Sequence, residues 1–356
     1  MRFYDLLQLD PAGLKNEIKN AENKKEKIKA CIALPVRPAL IVLFAIAIIA
    51  PLSKVFGEEN NSMLVALFCI LLAVRFVDFG YCIKDSMINL TVTFALLFAG
   101  PVISTHVGPI LGLVINIMAL LIILIMTSDA PELGNGGLYG FSYVFLVGTP
   151  VEGEMIVKRG LLTLLGLVVC GLIFYFKHKD KNKDIRFMDV LSRFKLSSKK
   201  SQWQIRMALG VSLLIFIGRL LSVERLMWAG FACSSLLSNY ETDVAKKRSF
   251  GRIFGTIIGM IVFFAVYSIT PESFHSLFGP ICGVVLGFCV EYRYKTAVNC
   301  FSALLLATTL YGLSGALLLR VLNNVLGVIF AYIFLVVFQK IVDWRTAKRE
   351  EREAQA

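Results

Sequence analysis

The sequence predicts an all-α integral membrane protein of about twelve transmembrane helices, arranged as two parallel-oriented six-helix repeats. Three observations carry that expectation. The 356 residues are 57% hydrophobic and only 17% charged, with a mean hydropathy of +0.72, whereas soluble domains are roughly 25% charged. The apolar residues come in long blocks, among them Pro38 to Leu52, Ile110 to Met126 and Leu161 to Phe176. Such blocks lack the polar face of a helix that covers a soluble core. Finally, short patterns of the first half return in order in the second.

Crossing a ~30 Å hydrocarbon layer takes roughly 17–25 helical residues. The expected spans are 38–54, 61–79, 87–104, 108–127, 137–150, 159–177, 205–222, 226–240, 252–270, 276–291, 296–312 and 316–339. Of these, 137–150 and 226–240 are short for a full crossing. The chain then divides into a basic N-terminal segment 1–37, a first membrane half 38–177, a basic linker 178–204, a second half 205–339 and a charged tail 340–356.

Charge sets the orientation. The net charge is +12, and the lysines and arginines gather between apolar blocks, the positive-inside pattern rather than a nucleic-acid-binding face. With both termini cytoplasmic, only Lys54, Lys158, Arg159, Arg219, Arg225 and Arg320 lie at or near the outer face; all the others of the 37 basic residues lie inside. The expected location is the bacterial cell (plasma) membrane, multi-pass. Lys15, Lys19, Lys24, Lys25, Lys27 and Lys29 suit anionic headgroups, so membrane lipids are expected partners and nucleic acid is not. A homo-oligomer is left open.

The repeat shows in residues as well as in spacing. His106, Gly108, Pro109 and Gly112 answer to His275, Gly279, Pro280 and Gly283; Arg159, Leu165 and Gly166 answer to Arg320, Leu326 and Gly327; Thr91 answers to Thr256. Two further trios, Gly251–Gly255–Gly259 and Gly279–Gly283–Gly287, each recur every fourth residue. On a helix such a trio makes a smooth face that admits a close neighbour. Spans nine and ten are therefore expected to pack tightly, with each other as one option.

The candidate chemistry is ionic. Arg159, Arg219, Arg225 and Arg320 would form a positive outer vestibule if they converge, attractive to carboxylates; the other reading has them snorkel or pair with Glu152, Glu154 and Glu224. Asp78 and Glu291, at inner span ends, and the matched outer-loop residues His106 and His275 are the proton-coupling candidates. Arg75 and Asp78 are spaced to pair on one helix face. The glycine-rich stretch 128–140 suits a hinge. The eight cysteines are scattered singly and read as packing residues, and no phosphate loop, metal spacing or nucleophile-base order is present. Neither catalysis nor a metal or cofactor is expected.

Trp228 to Gly259, with Arg252, Gly255, Thr256 and Gly259 in the pattern R-x-x-G-T-x-x-G, resembles the fusaric acid resistance protein-like, or aromatic acid exporter, family. Arg320-x6-Gly327 is similar to that family's final span. The resemblance is clearest over 205–339, and the chain looks like a minimal form without a large cytoplasmic domain. It implies proton-driven export of small, often aromatic, organic acids, so a small organic anion is the expected substrate. The path is expected at the interface of the two halves. The alternative is a channel-like or lipid-associated membrane module serving the cell envelope.

Overall fold

The computed structural model describes residues 2–355, and among them every regular element is helical. In chain order these are α1 (Phe3–Gln8), α2 (Pro11–Asn20), α3 (Lys24–Phe56), α4 (Asn61–Ala73), α5 (Ile83–His106), α6 (Pro109–Thr127), α7 (Asn135–Val147), α8 (Glu154–His178), α9 (Phe187–Ser192), α10 (Lys199–Leu220), α11 (Leu226–Leu237), α12 (Thr242–Ile269), α13 (Phe278–Leu286) and α14 (Tyr292–Gln355). Seven of them, α3, α5, α6, α8, α10, α12 and α14, are long and apolar enough to cross a membrane. The chain is a multi-pass helical membrane protein. Each of the twelve expected spans overlaps a helix, but α4, α7, α11 and α13 have only 13, 13, 12 and 9 residues and cover their spans in part.

The chain forms two compact units. One takes the chain up to Ala50 together with Lys247–Asn324; the other takes Pro51–Lys246 and the chain from Val325 on.

In the larger unit, α4 to α8, α10 and α11 run alternately up and down. At one end, Asn60 Nδ2 donates to the carbonyl oxygens of Phe56 (2.9 Å) and Met155 (3.3 Å), tying the turn before α4 to the start of α8. At the other end, three carboxylates hold the linker after α8. Asp78 accepts from Lys181 (3.3 Å) and Asn182 (3.1 Å); Asp85 accepts from Arg186 Nε (2.8 Å) and Nη2 (3.0 Å) and from the Phe187 N–H (2.9 Å); Asp129 pairs with Lys200. The segments 80–86, 128–136 and 178–204, expected on one membrane face, therefore meet at one end of this unit. The Asp85 hydrogen bonds also raise the Arg186 guanidinium above its ordinary pKa.

Two local expectations change. The helix expected over 61–79 stops at Ala73, and beyond it the Gly80 N–H turns to Asp78 Oδ1 (2.9 Å) around a positive φ that glycine alone takes cheaply. Arg75 and Asp78 hence share no helix face: Arg75 lies over the Phe76 ring, while Asp78 faces the linker. The stretch 128–140 is closed by Asn135, whose Nδ2 donates to the Thr127 (2.7 Å) and Asp78 (3.3 Å) carbonyls.

In the smaller unit, α2 is capped by Asp10, which accepts from the Gly13 N–H (2.8 Å), and starts with Pro11, whose missing N–H costs nothing there. Leu14 of α2 is buried with Ala30 and Ala33 of α3. The glycine trios meet different neighbours. Gly255 and Gly259 press on the α14 backbone at Arg293 and Ala297, while Gly283 and Gly287 press on Val42 and Pro38 of α3; Gly279 faces open space. At Gly312 the backbone leaves the helix (φ 67°, ψ 171°), and the chain doubles back. Arg252 touches both Tyr292, ahead of the break, and Asn324, beyond it, residues that a straight helix would hold roughly 48 Å apart.

A β-carbon at Gly255 or Gly259 would enter the van der Waals radius of a backbone carbonyl oxygen on α14, and backbone cannot swing aside. Gly255→Ala and Gly259→Ala should each destabilise the protein by about 1–3 kcal/mol, read from thermal unfolding in detergent, while Gly279→Ala should be neutral within error. Asp85→Asn should leave the bundle folded but raise the rate of trypsin cleavage within 179–199, since two hydrogen bonds from Arg186 lose their charged acceptor.

Candidate functional site

A charge at bilayer depth costs at least ~2.5–3.5 kcal/mol on insertion scales, so each buried cation needs acceptors close by. The larger unit supplies them largely from its backbone. Arg159 on α8 is 1% exposed and donates to Asn60 Oδ1 (2.9 Å), the Glu59 carbonyl (3.1 Å) and Ser62 Oγ (3.4 Å). Arg219, near the end of α10, donates to the carbonyls of Ser104, Thr105 and Val107. Arg206, at the opposite end of α10, donates to those of Leu237, Asn239 and Tyr240. Arg206 and Arg219 thereby satisfy the orphaned carbonyls that end α11 and α5, where a cation also meets the negative end of the helix dipole. Arg225 starts α11 with its guanidinium 6.0 Å from the centre of the Trp228 ring.

The smaller unit is different. Arg252 on α12 and Arg320 on α14 are 8% and 4% exposed, and side chains surround both. Arg252 donates to Asn324 Oδ1 (3.3 Å) and Tyr292 Oη (3.0 Å). Arg320 reaches the Cys300 thiol and lies within electrostatic range of Arg252. Cys300 Sγ in turn lies 3.6 Å from the Thr256 carbonyl, and the Thr256 hydroxyl beside it is buried without a partner. Two guanidinium groups, a thiol, a phenol and two polar side chains thus gather where three helix segments meet. Two cations within electrostatic range repel, and an anion placed between them would relieve both.

The carboxylates and histidines are dispersed. Asp78 sits on the linker, with His178 Nδ1 4.0 Å away. Glu291 pairs with Arg293 (2.7 Å) and is largely exposed. His106 Nδ1 is 2.7 Å from the Val102 carbonyl, and His275 Nε2 is 3.0 Å from that of Thr270, its ring stacked on Tyr267 at 4.2 Å. Gly251 faces only ordinary contacts with Tyr292 and Arg293. Cys300 reads in the sequence as a packing residue, and no motif marks Arg206, His178, Tyr292 or Asn324. The available signal for the last was Asn323-Asn324, a pair of amides inside an otherwise apolar span. Among the described residues no group of histidine, cysteine and carboxylate side chains has the arrangement of a metal site.

An α-helical, multi-pass membrane protein with buried arginines is the class that fold and site define. Residues 213–334 match the family described as fusaric acid resistance protein-like. The match holds Arg252, Thr256, Tyr292, Cys300, Arg320 and Asn324 together. No curated protein and no solved structure matches the chain.

If Arg159 serves to tie the turn before α4 to α8, Arg159→Met should lower stability by about 1–3 kcal/mol through the acceptors it strands. The shift in thermal midpoint produced by an added carboxylate should be the same in this variant as in the parent protein.

Proposed function

We propose that the protein is a membrane transporter that exports small organic anions, aromatic carboxylates first among them, driven by a proton gradient. What carries this reading is the joint burial of Arg252 and Arg320 in one polar cluster within the residues that match the fusaric acid resistance protein-like family. A carboxylate entering the cluster would replace the repulsion of two guanidinium groups by two charge-assisted hydrogen bonds, with the Tyr292 hydroxyl and the Thr256 hydroxyl at hand. Such a site binds anions and releases them again when a competing proton or conformational change weakens the contact. Arg159, Arg219 and Arg225 would act at the approach, and Asp78, Glu291, His106 and His275 remain the residues proposed to exchange protons. A path between the sequence halves 38–177 and 205–339 belongs to the same proposal and rests on the repeat.

The test is flux of radiolabelled benzoate in proteoliposomes under an imposed pH gradient. Arg320→Gln and Arg252→Gln should each reduce gradient-dependent flux at least about tenfold, the scale of one lost charge-assisted contact. Arg320→Lys, which keeps a point charge without the planar fork, should retain an intermediate rate and shows whether the position tolerates change. Flux that is indifferent to both glutamine substitutions would assign the cluster to packing.

A further inference from the structure

A second feature lies wholly within the larger unit and shares no residue with the Arg252–Arg320 cluster. A groove of about 810 Å³ runs between the start of α10 and the last part of α14, lined by Leu196, Ser197, Gln202, Ile205, Leu209, Phe338, Ile341, Val342, Arg345 and Thr346. Its chemistry is graded along its length. The two walls run antiparallel, so Leu209 and Ile205 face the level of Phe338, Ile341 and Val342, while Ser197 and Gln202 face the level of Arg345 and Thr346. One end is apolar; the other, Leu196 apart, is polar and cationic. The apolar end spans about 10 Å on the α14 wall, from Phe338 to Arg345. Directly beside the polar end, Trp344, Arg345, Lys348 and Arg352 line a smaller cavity of about 250 Å³, with Lys348 Nζ 5.0 Å over the Trp344 ring.

We infer that this groove is a binding site for one anionic glycerophospholipid of the cytoplasmic leaflet, its acyl chains along Leu209, Ile205 and Phe338 and its phosphate at Arg345 and Lys348. The gradient from apolar to cationic matches such a lipid from tail to headgroup. Both walls also lie at the end of the unit where the linker is held, the face to which the distribution of lysine and arginine assigns the cytoplasm. Trp344 stands at the boundary, where an indole settles between headgroup and hydrocarbon. A zwitterionic lipid would fill the apolar end equally well, but its ammonium group would face Arg345 and Lys348; charge selects the anionic one.

The experiment uses the full chain purified in detergent, with native mass spectrometry and thermal unfolding during titration with dioleoyl phosphatidylglycerol, dioleoyl phosphatidylcholine or glycerol 1-phosphate. Phosphatidylglycerol is expected to remain bound as a single adduct and to raise the thermal midpoint, and phosphatidylcholine to do so more weakly. Arg345→Gln with Lys348→Gln should weaken phosphatidylglycerol roughly fivefold for each cation removed and leave phosphatidylcholine unchanged. Leu209→Trp, which fills the groove, should weaken both lipids; Arg345→Lys, which preserves charge, should bind like the parent and controls for folding. Equal affinity for the two lipids, or phosphatidylglycerol binding untouched by the double glutamine variant, overturns the inference. Stabilisation by glycerol 1-phosphate equal to that by the lipid also overturns it, since the cations would then hold a free phosphate and the groove would be idle. None of these readouts involves transport, so they stand or fall apart from the flux experiment.

Discussion

Guanidinium groups buried among apolar helices are the constraint on which the structure turns. An arginine inside a bundle of this composition is tolerated only where oxygen acceptors are within reach. The larger unit meets that demand with backbone at helix ends: Arg206 and Arg219 close α11 and α5, and Arg159 gathers the turn before α4. The same contacts satisfy carbonyls that would otherwise be orphaned in a medium without water. Cation and helix end solve each other's problem. Arg252 and Arg320 have no helix end to close; their partners are side chains, which can rearrange around a guest in a way that backbone cannot.

Close packing supplies the second layer of organisation. Lipid offers no hydrophobic drive for helices to associate, so backbones must approach until dispersion and weak polar contacts suffice. Gly255 and Gly259 let α12 lie against α14, and Gly283 and Gly287 let α13 lie against α3. This places Thr256, one residue after Gly255, and Arg252 one turn before it, against Tyr292 and Cys300. The polar cluster of the smaller unit is therefore a product of glycine spacing as much as of its charged residues.

Much of this was legible in the residues alone. All-α membrane architecture follows from composition and block length, and the expected gap between spans 296–312 and 316–339 falls at the break at Gly312. Clustering of lysine and arginine anticipated that 80–86, 128–136 and 178–204 would share an end. What escaped was pairing at a distance. The spacing of Arg75 and Asp78 suggested a helix-face pair, yet α4 ends before both and Asp78 meets Lys181, a hundred residues on. Arg159 and Arg320, which the sequence pattern matched to each other, have unlike surroundings: one meets a carbonyl and an amide, the other a thiol and a second arginine. Local pattern records periodicity and turn chemistry; it does not record which acceptor a long side chain will find. The glycine trios illustrate the same limit, since their faces could be read but their neighbours could not.

The reversal at Gly312 bears on how the chain is made. With a single residue outside helical geometry, the two arms of α14 have almost no loop between them, so during synthesis they would leave the insertion machinery as one helical hairpin rather than as two independent passes. Arg320, a poor passenger for a solitary span, then arrives in the bilayer already beside Cys300 of the opposite arm. An insertion of flexible residues after Gly312 would separate those two events, and the arginine would have to enter the hydrocarbon before its company did.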